Sequence, residues 1–101
     1  MTVRVEWDKR AQYDRENIFQ YLNREAGVAV AIAADDRLSA MVTILEENPL
    51  AGVQAGRKEN QRKLVVPHFP FIIAYIFEKE HVRILRVLHT SRKIASQYRK
   101  T

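Results

Sequence analysis

The sequence predicts an α+β fold, a helical hairpin packed on a mainly antiparallel four-stranded sheet in the order β-α-α-β-β-β-α. Three observations predict it. A short alternating segment is followed by two long apolar-striped segments with only Gly27 between them. Three extended apolar segments then come in succession, separated by proline- and charge-rich turns. Finally, 101 residues with an apolar fraction of 47% are enough for one domain with one buried core, and too apolar for a disordered chain.

Val3-Arg4-Val5-Glu6-Trp7 alternates with period two, the signature of a half-buried strand. Asp8 is placed to N-cap the helix behind it. In that helix Ala11, Arg15, Ile18 and Leu22 recur at i, i+4, i+7 and i+11, flanked by Phe19 and Tyr21, and the pattern ends near Gly27. A second helix is predicted from Val28 to Glu47. Its inner face is Ala31, Ala34, Leu38, Met41, Val42 and Leu45, with Asp35, Asp36 and Arg37 largely opposite. Alanines at 29, 31, 33 and 34 permit close packing on a neighbour, and Pro49 stops the helix.

Residues 48–60, NPLAGVQAGRKEN, are a loop by their Gly, Pro and Asn content. Strands are expected at Arg62 to Val66, Phe71 to Phe77 and Val82 to His89. The unbroken apolar run of the middle one suits a central, doubly covered strand. EKEH makes the last connection a tight hairpin, and a short final helix is expected from Thr90 or Ser91, with Ile94 and Tyr98 on one side. There is no internal repeat.

The net charge of +5 conceals an asymmetry. Residues 1–50 carry six Lys/Arg against nine Asp/Glu, whereas residues 51–101 carry eleven against three, a net of +8. The second half is therefore suited to face something acidic: nucleic acid, an acidic protein or a ribonucleoprotein. A basic face that is merely solvated is the alternative. Cysteine is absent, which excludes disulfides and thiolate metal sites and is compatible with a cytoplasmic location. MTVRVEWDKR lacks the apolar run of a signal peptide, and Leu64 to Phe77 is too short and too proline-broken to span a membrane.

Phosphate-cradling glycine loops, a nucleophile elbow and paired histidines at helical spacing are all missing, so no metal and no cofactor is expected. The candidate residues lie in the second half. Strict alternation places Arg83, Leu85, Val87 and His89 on one side of the last strand and Ile84, Arg86 and Leu88 on the other. Arg83 suits a solvated hairpin position. Arg86, mid-strand among apolar residues, needs a partner or faces a site. His89 carries an imidazole suited to acid–base work, but no carboxylate orienter is evident, which favours a structural place at the strand end. Arg57, Lys58, Arg62, Lys63, Arg92, Lys93, Arg99 and Lys100 can converge, since strand ends and a terminal helix of a meander lie close together. Such cations can stabilise a phosphorane-like transition state or pair with acids on a partner. Tyr98 can stack on a base or pack the last helix onto the sheet.

With these residues in view the chain resembles the RelE/ParE superfamily of toxins from bacterial type II toxin–antitoxin modules. VEWDKRAQYDRENIFQYL is similar to the family's opening strand and helix. The stretches NP, G-R, R-K-L-V-V, P-F-I-I-A-Y and I-L-R-V-L-H-x-x-R follow in family order, none of them specific alone. The resemblance implies a helical hairpin on an antiparallel sheet, a growth-inhibiting activity and a cognate antitoxin as tight partner.

Two activities occur on this scaffold. RelE-like members cut messenger RNA on the ribosome. ParE-like members inhibit DNA gyrase without chemistry of their own. RelE-like enzymes typically carry an arginine three residues before a central-strand tyrosine; here the tyrosine is Tyr75 and the matching position is Ile72. Arg92 and Tyr98 do keep a RelE-like Arg-x5-Tyr spacing, and Arg62 can supply a first-strand cation. Ile72 and the strand VRILRVLHTSR favour the ParE-like branch, so a gyrase inhibitor rather than an enzyme is expected, with Arg86, Arg92, Lys93, Tyr98 and Arg99 contacting the target. The ribonuclease alternative would use Arg62, Arg92, Tyr98 and His89 on ribosome-bound mRNA. The resemblance further implies an antitoxin with an acidic segment that folds on binding, and a toxin–antitoxin complex able to bind operator DNA.

Overall fold

The computed structural model of the protein describes residues 2–90. Its elements are β1 (Arg4–Trp7), α1 (Lys9–Ala26), α2 (Val28–Glu47), β2 (Val53–Gln54), β3 (Gln61–Val65), β4 (Phe71–Glu78) and β5 (His81–His89). The sheet has the order β1-β5-β4-β3-β2, parallel between β1 and β5 and antiparallel elsewhere. All four expected strands are present. The fifth, β2, is a two-residue strand inside the NPLAG loop region that pairs Val53 with Lys63 and Gln54 with Arg62. The helix expected from Thr90 or Ser91 lies, past Thr90, outside the described residues.

One glycine makes the helical hairpin. Gly27 has φ +98° and ψ 162°, a region closed to residues with a Cβ. Its N–H donates to Asn23 O and its carbonyl accepts the Ala31 N–H, so it ends α1 and begins α2 at once. Ala31 and Ala34 are fully buried and let the helices approach closely, whereas Ala29 and Ala33 face solvent. Asp35 departs from the expected outer face and sits on the helix–helix seam. There Arg15 Nη2 donates to Asp35 Oδ2 (3.0 Å) and to Ser39 Oγ (2.7 Å), and the guanidinium lies 4.9 Å from the Trp7 ring centroid. Asp8 precedes α1 in extended conformation but makes no side-chain cap; its carboxylate pairs instead with Arg83, 3.1 Å away.

The core lies between the hairpin and one sheet face. Ala11 and Ile18 of α1 and Leu38, Met41 and Leu45 of α2 meet Phe71, Ile73 and Tyr75 of β4 and Val82, Ile84 and Val87 of β5. The faces of β5 differ from strict alternation. The β4–β5 register slips so that Tyr75 pairs with Ile84 and Ala74 with Arg86, leaving Leu85 as the extra residue of a bulge. Val87 therefore joins Val82 and Ile84 in the core rather than sharing a face with Arg83.

Candidate functional site, the cationic face of the sheet

Strand geometry divides β4 cleanly. Phe71, Ile73 and Tyr75 turn to the helices, and Ile72, Ala74 and Ile76 turn away. The registers extend that outer face into rows. Val65, Ile72 and Leu88 form one, Val53, Lys63, Ala74 and Arg86 the next, and Gln61, Ile76 and Arg83 a third. Val53 and Val65 are 60% and 62% exposed, and Lys63 and Arg83 are exposed cations. Such a mixture of apolar surface and positive charge suits a partner that brings both apolar and acidic groups. Ile72, the position where the resemblance looks for an arginine, sits between Val65 and Leu88 and makes this row apolar.

Arg62 lies on the opposite, helix-facing side of β3 and turns its guanidinium into the loop. Its Nε and Nη2 donate to Gly52 O (3.1 and 2.7 Å), and Nη2 also reaches Leu50 O (3.4 Å). The cross-strand partner of Arg62 is Tyr75, whose buried hydroxyl donates to Pro49 O (2.8 Å) and accepts the Gly52 N–H (3.0 Å). The fit leaves no space at Gly52, where a Cβ would stand 2.4 Å from the Lys63 carbonyl oxygen and 2.9 Å from the Tyr75 hydroxyl. Arg62 and Tyr75 thus fasten the loop over residues 49–52 to the sheet, and the arginine's charge is spent on carbonyls.

Arg86 has the partner its position demanded. Its Nε and Nη2 donate to Asp14 Oδ2 and Oδ1 (2.7 and 3.1 Å), a bidentate pair. Asp14 Oδ2 also accepts the Val87 N–H at 2.9 Å. The hydrogen bond to Asp14 raises the Arg86 pKa above its ordinary value, against the opposing effect of burial. His89 stands edge-on to Tyr21 (centroids 5.8 Å apart) and to Phe71 (5.4 Å), its imidazole set among aromatic rings. Arg92, Lys93, Tyr98 and Arg99 lie outside the described residues.

Asp14, Gly52 and the double role of the Tyr75 hydroxyl escaped sequence reasoning. The mid-strand Arg86 did signal that a carboxylate was needed, but Asp14 is 72 residues away and nothing local marks it. Among the described residues no group of three His, Cys, Asp or Glu side chains could hold a metal ion, and no helix is long and apolar enough to cross a membrane.

A helical hairpin covering one face of a small mixed sheet is a fold shared with solved chains of toxin–antitoxin systems. The chain superposes on one from the chromosomal ParDE toxin–antitoxin system of P. aeruginosa with a TM-score of 0.77 at 21% identity, covering 89% of this chain and 98% of that one. A chain of the RelBE2 toxin–antitoxin complex from Mycobacterium tuberculosis gives 0.61 at 17% identity, with coverages of 90% and 94%. The isolated E. coli RelE toxin also gives 0.61 at 17%, with coverages of 97% and 96%. At these identities the likeness is one of fold. No curated protein matches the sequence. A family model described as the ParE toxin of the type II toxin–antitoxin system parDE matches residues 5–94. The chain belongs to this ParE toxin family.

Proposed function

We propose that this toxin stops growth by binding DNA gyrase, without chemistry of its own, and that a cognate antitoxin silences it in the cytoplasm. The observation that carries the reading is Ile72. Where a ribonuclease of this scaffold would place a cation, the outer face has an isoleucine between Val65 and Leu88. Two further residues of a ribonuclease set are otherwise engaged, Arg62 with the carbonyls of Leu50 and Gly52 and His89 with the rings of Tyr21 and Phe71. What remains is a gripping surface. Lys63, Arg83 and the apolar rows supply its described part, and target contact is also assigned to Arg92, Lys93, Tyr98 and Arg99, which lie outside the described residues.

An antitoxin partner is supported by the solved relatives, which come from toxin–antitoxin systems; in this reading it brings an acidic segment that orders on binding. The +8 charge of residues 51–101 speeds that encounter, and the resulting complex binds operator DNA. The test is a gyrase supercoiling assay run beside a ribosome-bound message cleavage assay with the purified toxin. Blocked supercoiling with intact message is expected. Unimpaired supercoiling at saturating toxin, or cut message, overturns the reading.

A further inference from the structure

Arg86 was expected to touch the target, yet its fork is turned onto Asp14. Asp14 is the more buried member of the pair, with a side chain 12% exposed against 36% for Arg86. Its carboxylate accepts three hydrogen bonds, two from the guanidinium and one from the Val87 N–H. The place of this contact in the sheet explains the need for it. β1 pairs with β5 only from His81 to Ile84, so among the described residues no strand flanks β5 beyond that point. The bulge at Leu85 loosens the ladder to β4 at the same level. From there on, β5 is held on its β1 side by α1, through Asp14 at Arg86 and Val87 and through Tyr21 at His89. At the next residue, Thr90, the chain leaves the sheet, and the Thr90 N–H donates to Pro70 O at 2.7 Å.

We infer that Asp14 is a positioning residue for toxicity: with Arg86 it fixes the end of β5, and so aims the outer face around Leu88 at the target. Arg86 acts through this clasp and does not itself contact the target. The inference rests on the gripping-surface reading above. It does not depend on which macromolecule is gripped.

Asp14→Asn tests it, because the variant keeps an oxygen for the Val87 N–H and removes the charge that holds the Arg86 fork. Asp35→Asn is the control, since it breaks the Arg15 pair that joins α1 to α2 and makes no contact with Arg86 or Val87. Amide hydrogen exchange of residues 87–90 is compared with that of Ile73 in the core. Growth arrest on induction is scored against the amount of folded toxin. Asp14→Asn should exchange about tenfold faster at residues 87–90 with Ile73 unchanged. It should arrest growth only at a folded level about tenfold higher than the wild type needs, whereas Asp35→Asn arrests at the wild-type level. Unchanged exchange at residues 87–90, equal potency per folded molecule, or an equal loss in Asp35→Asn each overturns the inference. A wild-type toxin that arrests growth but leaves supercoiling intact removes gyrase as the target, and the clasp is still decided by the comparison of variants.

Discussion

Tyr75 and Gly52 lie 23 residues apart in sequence and are joined by a 3.0 Å hydrogen bond from the Gly52 N–H to the Tyr75 hydroxyl. The same hydroxyl donates to Pro49 O, and the Gly52 carbonyl is taken by Arg62. Both backbone groups of Gly52 are therefore satisfied by side chains of neighbouring strands. The loop that follows α2 is thus tied over residues 49–52, and β2 begins at the next residue.

Tyr75→Phe leaves the Gly52 N–H and the Pro49 carbonyl without this partner while preserving the ring in the core. A buried group left unpaired costs about 1–3 kcal/mol, so urea unfolding should show a loss of about 2 kcal/mol. Growth arrest per folded molecule should be unaffected, because the hydroxyl faces the loop and not the outer face. A stability equal to wild type would mean that water replaces the hydroxyl at no cost.

Gly52→Ala should be at least as damaging. The new methyl would meet a backbone oxygen at 2.4 Å, which no rotamer change can relieve. The loop must move, and overpacking of this kind costs on the order of 1–3 kcal/mol. The thermal midpoint should fall by several degrees, and Gly52→Ala combined with Tyr75→Phe should cost less than the two separate losses added together, because both break the same tie. Full additivity would show that the two residues act independently.

Arg62→Ala separates a structural cation from a contact residue. The variant removes charge-assisted hydrogen bonds to Gly52 O and Leu50 O, a loss of about 1.5–3 kcal/mol. Growth arrest per folded molecule should stay at the wild-type level. A collapse of growth arrest at full folding would give Arg62 a direct part in toxicity, as the ribonuclease alternative has it.

The sequence shows the elements that have local punctuation. Gly27 and Pro49 bracket α2, and the observed Val28–Glu47 is the predicted span. Non-local relationships left no such mark. β2 is two residues long, too short for any period to register. The parallel pairing of β1 with β5 joins Arg4 to His81 across the whole chain. A bulge adds one residue without a sequence signature, so strict alternation puts Val87 on a face with Arg83 whereas the structure puts it in the core. The site follows the same rule. Ile72 could be read from the sequence, but the unbroken apolar run of β4, which predicts a doubly covered strand, is covered by the helices only on the side of Phe71, Ile73 and Tyr75. The partners of Arg86 and Arg62 could not be read, since a carboxylate on α1 and a loop carbonyl become neighbours only through tertiary packing.

The hairpin between β4 and β5 offers room for improvement. Lys79 and Glu80 have φ of 53° and 59° and connect the paired Glu78 and His81, the two-residue turn in which both central residues are left-handed. Residues with a Cβ are disfavoured there by about 1–2 kcal/mol each, and Asn-Gly is the pair this turn prefers. The larger freedom of glycine in the unfolded chain offsets part of the gain, by about 0.4–1 kcal/mol. The double variant Lys79→Asn, Glu80→Gly should therefore gain about 1 kcal/mol in urea unfolding. The turn lies at the end of β5 remote from Leu88 and Thr90, so growth arrest per folded molecule should not change. A loss of stability would show that Lys79 and Glu80 make contacts worth more than the backbone strain they carry.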